Sequence, residues 1–143
     1  MKPFFASIGF VVWSLSALAV EINVTDIGTF ELMDVNMKPT GFFYRLSLDK
    51  EGNWAMDGKK PGQKWENISF NPGCEYRRTT IEEMQAYFPQ SWLTNADVAC
   101  IQNIAQAFCR FSPKNEPTRI HHLVIALVTE KPSPLFLRRA LQR

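Results

Sequence analysis

NADVACIQNIAQAFCRF, residues 95–111, has the pattern of an amphipathic helix. At about 100° per residue, Val98, Ile101, Ile104, Ala105 and Phe108 share one face, while Asn103, Gln106 and Arg110 fall on the other. Asp97 points toward the apolar side, which a first turn tolerates. Thr94 is the expected N-cap, with Asp97 standing in for the Glu or Gln of a capping box and suiting the positive end of the helix dipole. Arg110 complements the other end, and Pro113 limits extension.

The stretch also carries two of the three cysteines, nine positions apart. Nine helical residues rise about 13 Å, and a disulfide needs its Cα atoms within about 7 Å. On a helical reading Cys100 and Cys109 cannot be bonded to each other. Cys74 is then the expected bridge partner, to either Cys100 or Cys109. The odd thiol is left buried and inert, paired with another chain in a homodimer, or reactive.

Working outward to the beginning, residues 1–19 have the form of a cleavable signal peptide. Lys2 supplies the positive start, Phe4–Leu18 is mostly apolar, and Ala17-Leu18-Ala19 matches the small-x-small cleavage pattern. The apolar run is short for a membrane span, and no cysteine follows the cleavage point to carry a lipid. The expectation is export to a periplasmic or extracellular, oxidising compartment. The mature chain, 20–143, is long enough for a single secreted globular domain. Without Lys2 its net charge is near +1, which builds no field for nucleic acid or anionic lipid. There are no internal repeats and no low-complexity tracts.

In chain order, 20–26 alternates apolar and polar residues and suggests a short strand, and 29–35 a second. Residues 41–48 form the best strand, with Phe42, Tyr44, Leu46 and Leu48 on one face. Residues 49–53 are a hairpin turn with Gly52 available for a positive φ, 54–57 a short return strand, 58–63 a turn and 64–70 a further strand. Asn71-Pro72-Gly73 is a turn leading to Cys74. Thr80 and Glu83 form a capping-box pattern that opens a short helix closed by Pro89. Trp92 anchors the junction with the next helix. Residues 120–128 are β-branched and apolar, the mark of a central strand. Residues 135–141 fit either an edge strand or a frayed helix. The order of elements suggests α+β: an antiparallel sheet of about four to six strands with two helices packed on one face.

Candidate chemistry is sparse. His121 and His122 are adjacent, and adjacent strand residues point to opposite faces, so the pair does not converge on one metal. No HExxH, CxxC or HxH spacing completes a metal site, and no cofactor is implied. Cys109 with His121 is the one thiol–imidazole pair to consider as a catalytic candidate. Glu82 and Glu83 could be paired carboxylates, but capping and the helix dipole account for acids in a first turn. There is no GxSxG motif and no phosphate-binding glycine loop. Asn23-Val24-Thr25 and Asn67-Ile68-Ser69 match the N-glycosylation pattern. Eighteen Phe, Trp and Tyr residues make aromatics the main candidates for contact, with Trp54, Trp65, Tyr44 and Trp92 foremost.

These features together suggest a small exported protein without catalysis that occupies another protein, as an inhibitor, immunity factor or effector does. The alternatives are a thiol-dependent enzyme using Cys109 and His121, and a disulfide-linked dimeric envelope component.

Overall fold

A computed structural model describes residues 21–68 and 75–141. The leader-like segment and Cys74 lie outside the described residues. The protein is mostly β, and the α+β expectation is overturned. Nine strands form one antiparallel sheet: β1 (Gly28–Met33), β2 (Pro39–Leu48), β3 (Trp54–Lys59), β4 (Glu66–Asn67), β5 (Arg77–Arg78), β6 (Ala96–Gln102), β7 (Gln106–Pro113), β8 (His121–Ala126) and β9 (Pro134–Arg139). The two helices, α1 (Ile81–Tyr87) and α2 (Gln90–Asn95), are short. Residues 24–26 form a single 3-10 turn rather than part of a strand.

The helix expected over 95–111 is instead the β6–β7 hairpin. Its register sets Cys100 directly opposite Cys109, with Gln102 opposite Ala107. The turn contains no glycine. Asn103 makes it: its Oδ1 accepts from the backbone N–H of Ala105 at 2.9 Å and of Gln106 at 3.0 Å, the local bonding by which Asn stabilises turns. Ile104, placed on the apolar face of a helix, is the 74% exposed tip.

The cysteines are bonded to each other, with a Cα–Cα distance of 4.1 Å. That close approach marks a non-hydrogen-bonded antiparallel pair. In agreement, the Cys100 carbonyl accepts from Thr79 N–H on the other side of the strand. The expected bridge from Cys74 to Cys100 or Cys109 is therefore corrected: the 13 Å of axial rise that forbade the 100–109 bond does not exist in a hairpin.

Elsewhere the half-exposed elements match the pattern of the sequence. The β2–β3 hairpin turns at 49–53, where Asp49 Oδ1 accepts from Glu51 and Asn53 N–H at 2.9 Å and Gly52 has φ +83°. Thr80 and Glu83 make a full capping box on α1. The ambiguous C-terminal segment is a strand, and not at an edge: β9 lies between β1 and β8.

The sheet order is β4-β3-β2-β1-β9-β8-β7-β6-β5. Five strand spacings separate β3 from β7, about 24 Å in a flat sheet. Yet the Gln106 Nε2 of β7 lies 3.5 Å from the Met56 Sδ of β3. The sheet is therefore curled into a half-barrel. Its concave side holds Phe30, Leu46, Met56, Ala99, Ile101, Phe108, Val124 and Leu137, with Phe30 and Phe108 edge to face at 5.4 Å. The convex side of β6–β8 carries Val98, Cys100, Ala107, Cys109, Leu123 and Ile125, covered by Met84, Tyr87, Trp92 and Leu93 of the helices.

Eight successive antiparallel pairings among nine strands leave the edge strands β4 and β5 running in the same direction. They cannot pair as a hairpin, and a parallel pair needs a crossover of about a dozen residues or more, longer than the link between them. The seam between these two-residue edges follows from that parity.

Candidate functional site

The densest polar cluster is built on the 3-10 turn. Asn23 caps it, its Oδ1 accepting from Thr25 N–H at 2.9 Å, while Asn23 N–H donates to Asp26 Oδ2 at 2.9 Å. This reciprocal cap turns Asp26 inward, where its carboxylate is 1% exposed. Arg110 of β7 and His122 of β8 stand opposite each other in register and both reach it. Arg110 Nη1 donates to Asp26 Oδ2, and Arg110 Nη2 donates to the Glu21 carbonyl at 2.7 Å. His122 Nε2 lies 2.8 Å from Asp26 Oδ1, its ring held between Phe30 at 4.7 Å and Phe108 at 5.5 Å.

Burial pushes the Asp26 carboxyl up. The His122 hydrogen bond, the Asn23 N–H and the charges of Arg110 and His122 outweigh it, and hold the carboxyl below its ordinary value. An ionised carboxylate only accepts hydrogen bonds, so His122 Nε2 carries the hydrogen. A histidine oriented by an aspartate is two-thirds of a nucleophilic triad. The third part needs a hydroxyl or thiol free to give its proton to the ring. The two hydroxyls lining the adjoining cleft donate elsewhere, Ser112 to the Pro117 carbonyl at 2.8 Å and Thr25 to Asn23 Oδ1 at 2.6 Å. The cluster neutralises its own charge and pins the chain near residue 26 to the sheet.

The cleft beside it measures about 730 Å³ and is also lined by Asp97, His121, Arg138 and Arg139. Arg138 is paired with Glu31 at 2.9 Å. Arg139 donates to the carbonyls of Ile27 and Thr25 and lies over the Phe30 ring. His121 sits 6.0 Å from both Phe111 and Phe136. Burial, with the nearby charges of Arg119 and His122, lowers its pKa.

Cys109 and His121 are not brought together. Cys109 is oxidised, its neighbour across β8 is Leu123, and His121 pairs with Phe111. The catalytic candidate pair is thereby corrected, since a disulfide sulfur is no thiolate. His121 and His122 do leave opposite faces of β8, one toward Phe136 and the other toward Phe30. Among the described residues no three His, Cys, Asp or Glu side chains converge as a metal site, and no helix is long and apolar enough to cross a membrane. Glu83 serves its cap and Arg77, whose guanidinium is its main cause for a carboxyl pulled down to about 2.

The four aromatic candidates are dispersed. Trp92 packs beside Phe88, Phe111 and Phe136 under α2, which is a core role. Trp65 lies against the Arg45 guanidinium at 4.3 Å. Tyr44 is half-buried on the concave core and lines a hollow with Phe42, Gly58 and Ile68. Trp54 lines a groove of about 660 Å³ beside the β5 edge, with Tyr76 before β5, Ile81 and Met84 of α1, and Val98 of β6. Thr79, whose buried Oγ1 has no hydrogen-bond partner among the described residues, lines the same groove.

Asp26 and Arg110 were not legible as a pair, being 84 positions apart, and Asp26 and His122 are 96 apart. The usable signal was the spacing Asn23–Asp26, a capping box that turns the acid back on its own backbone. No family model matches this chain, and neither a curated protein nor a solved structure does so.

Proposed function

We propose that this chain is an exported, non-catalytic binding protein that works by contact with another protein along a groove at the β5 edge of its sheet. The observation that carries this reading is the groove beside the β5 edge. It is lined by Trp54, Tyr76, Ile81, Met84 and Val98, with Arg77 and Arg78 of β5 along one side. Ile81, 67% exposed, adds an accessible apolar side chain to that lining. An extended segment of a partner entering the groove can run antiparallel to the β5 edge, the mode in which a partner strand is added to a sheet. The self-satisfied Asp26 cluster and the oxidised Cys109 favour binding over thiol or triad chemistry. The leader pattern and the buried disulfide support export to an oxidising compartment.

Photo-crosslinking tests the reading. A benzophenone side chain is placed at Ile81 in the groove and, as a control, at Val128, which is 77% exposed on another surface. In the cells that produce the protein, position 81 is expected to give an adduct of one defined mass that unlabelled protein competes away, and position 128 none. Equal labelling at both positions, or none at 81, sinks the proposal.

A further inference from the structure

We infer that the hollow between β2, β3 and the β6–β7 turn binds a small amphipathic anion, an acyl or aryl chain ending in a carboxylate. The site shares no lining residue with the groove beside β5. Three observations converge on it.

The first is a graded apolar wall. On one face of β2 it runs from half-buried Tyr44 to Phe42, 39% exposed at the mouth, with Ile68 beside them. The second is space. The hollow measures about 300 Å³, at the lower end for small-molecule sites. Gly58 in β3 lets Ile68 pack closely on the strand at the floor of the hollow: a Cβ there would stand 3.3 Å from the Ile68 side chain.

The third is charge. Lys59, Lys60 and Lys64 line the hollow, against Glu66 as its one acid. None of the three lysines is in an ion pair among the described residues, whereas Arg45, Arg77, Arg78, Arg110 and Arg138 each hold a carboxylate. The Lys59 ammonium lies 5.8 Å over the Phe43 ring, on the sheet face opposite Phe42 and Tyr44, which leaves Lys60 and Lys64 as the cations at the rim. An apolar cavity rimmed by uncompensated ammonium groups favours a ligand with an apolar body and a negative head. The apolar body gains from burial and the head from the cations.

Titration of the intact protein at low salt with octanoate and with octan-1-ol, followed by calorimetry, tests this. Octanoate is expected to bind at least tenfold more tightly than the alcohol, and less tightly as salt is raised, because the lysines are exposed to screening. Combining Lys60→Glu with Lys64→Glu is expected to weaken octanoate at least tenfold and leave the alcohol unchanged. Phe42→Asp is expected to weaken both. All three positions are exposed, so near-ultraviolet circular dichroism should show an intact fold in each variant. Equal affinity for acid and alcohol, no effect of the lysine substitutions, or no binding of either probe overturns the inference.

Discussion

Asp26→Asn is expected to cost about 3–5 kcal/mol of folding stability, the range for breaking a buried ion pair by removing one partner. The substitution keeps the volume but leaves Arg110, whose side chain is 12% exposed, facing a neutral amide. The amide keeps one acceptor oxygen, so it also sets an NH2 donor against either the His122 ring or the Asn23 N–H, which the two carboxylate oxygens now serve separately. Domains of this size are stable by only about 5–15 kcal/mol, so a urea midpoint followed by tryptophan fluorescence should fall sharply. A loss below about 1 kcal/mol would mean that the cluster is solvated and carries little.

The pH dependence has a definite sign. The folded-state carboxyl of Asp26 lies below its ordinary value of 3.8, so the native state binds this proton less readily than the unfolded chain. Its contribution to stability is fully present above the ordinary value and is lost as pH falls from there through the lower, folded value. The wild-type protein should weaken over that interval, and Asp26→Asn should flatten that part of the profile. An identical acid slope in the two proteins would remove Asp26 as its source.

Opening the Cys100–Cys109 disulfide is expected to cost about 2.5 kcal/mol, from the chain entropy of a loop of this length. The two cysteines are nine residues apart. The comparison is best made between oxidised protein and the double variant Cys100→Ala, Cys109→Ala, at equal pH and denaturant. Both cysteines are nearly inaccessible in the native state, at 3% and 0% exposure, so alkylation of unreduced native protein should leave them unlabelled. Mass mapping that finds label on Cys109 would contradict the pairing. An unchanged midpoint in the double variant would show that the unfolded hairpin gains nothing from the cross-link.

The misreading of 95–111 has an identifiable cause. Alternation is visible in a strand only when one face is wet. In β2 it is, and Phe42, Tyr44, Leu46 and Leu48 stood out. β6 and β7 are covered on both sides, Ala99, Ile101 and Phe108 by the concave core and Val98, Cys100 and Cys109 by the helix side. Their apolar residues therefore fall at nearly every position, and such a run fits a helical stripe as readily as a strand. With Asn rather than Gly at the turn, no strong local signal broke the run. The cysteine spacing was the one hint of a hairpin. Residues equidistant from Ile104 and Ala105 face each other across the turn, and the two cysteines are such a pair.

By itself the sequence determined the elements that local chemistry specifies: the β2–β3 hairpin, the Thr80–Glu83 cap, and the opposed faces of the two histidines. It also held the leader pattern, the near-zero net charge and the absence of familiar catalytic motifs. The tertiary structure decided what depends on partners far apart in the chain. β1 pairs with β9 across the sheet, the curl brings β3 against β7, and Asp26 meets Arg110 and His122. Those contacts set which faces are buried, and hence that the cysteine-bearing stretch is a hairpin. Local propensity is weak when both faces of a segment are dry, so there the choice between helix and strand falls to long-range packing.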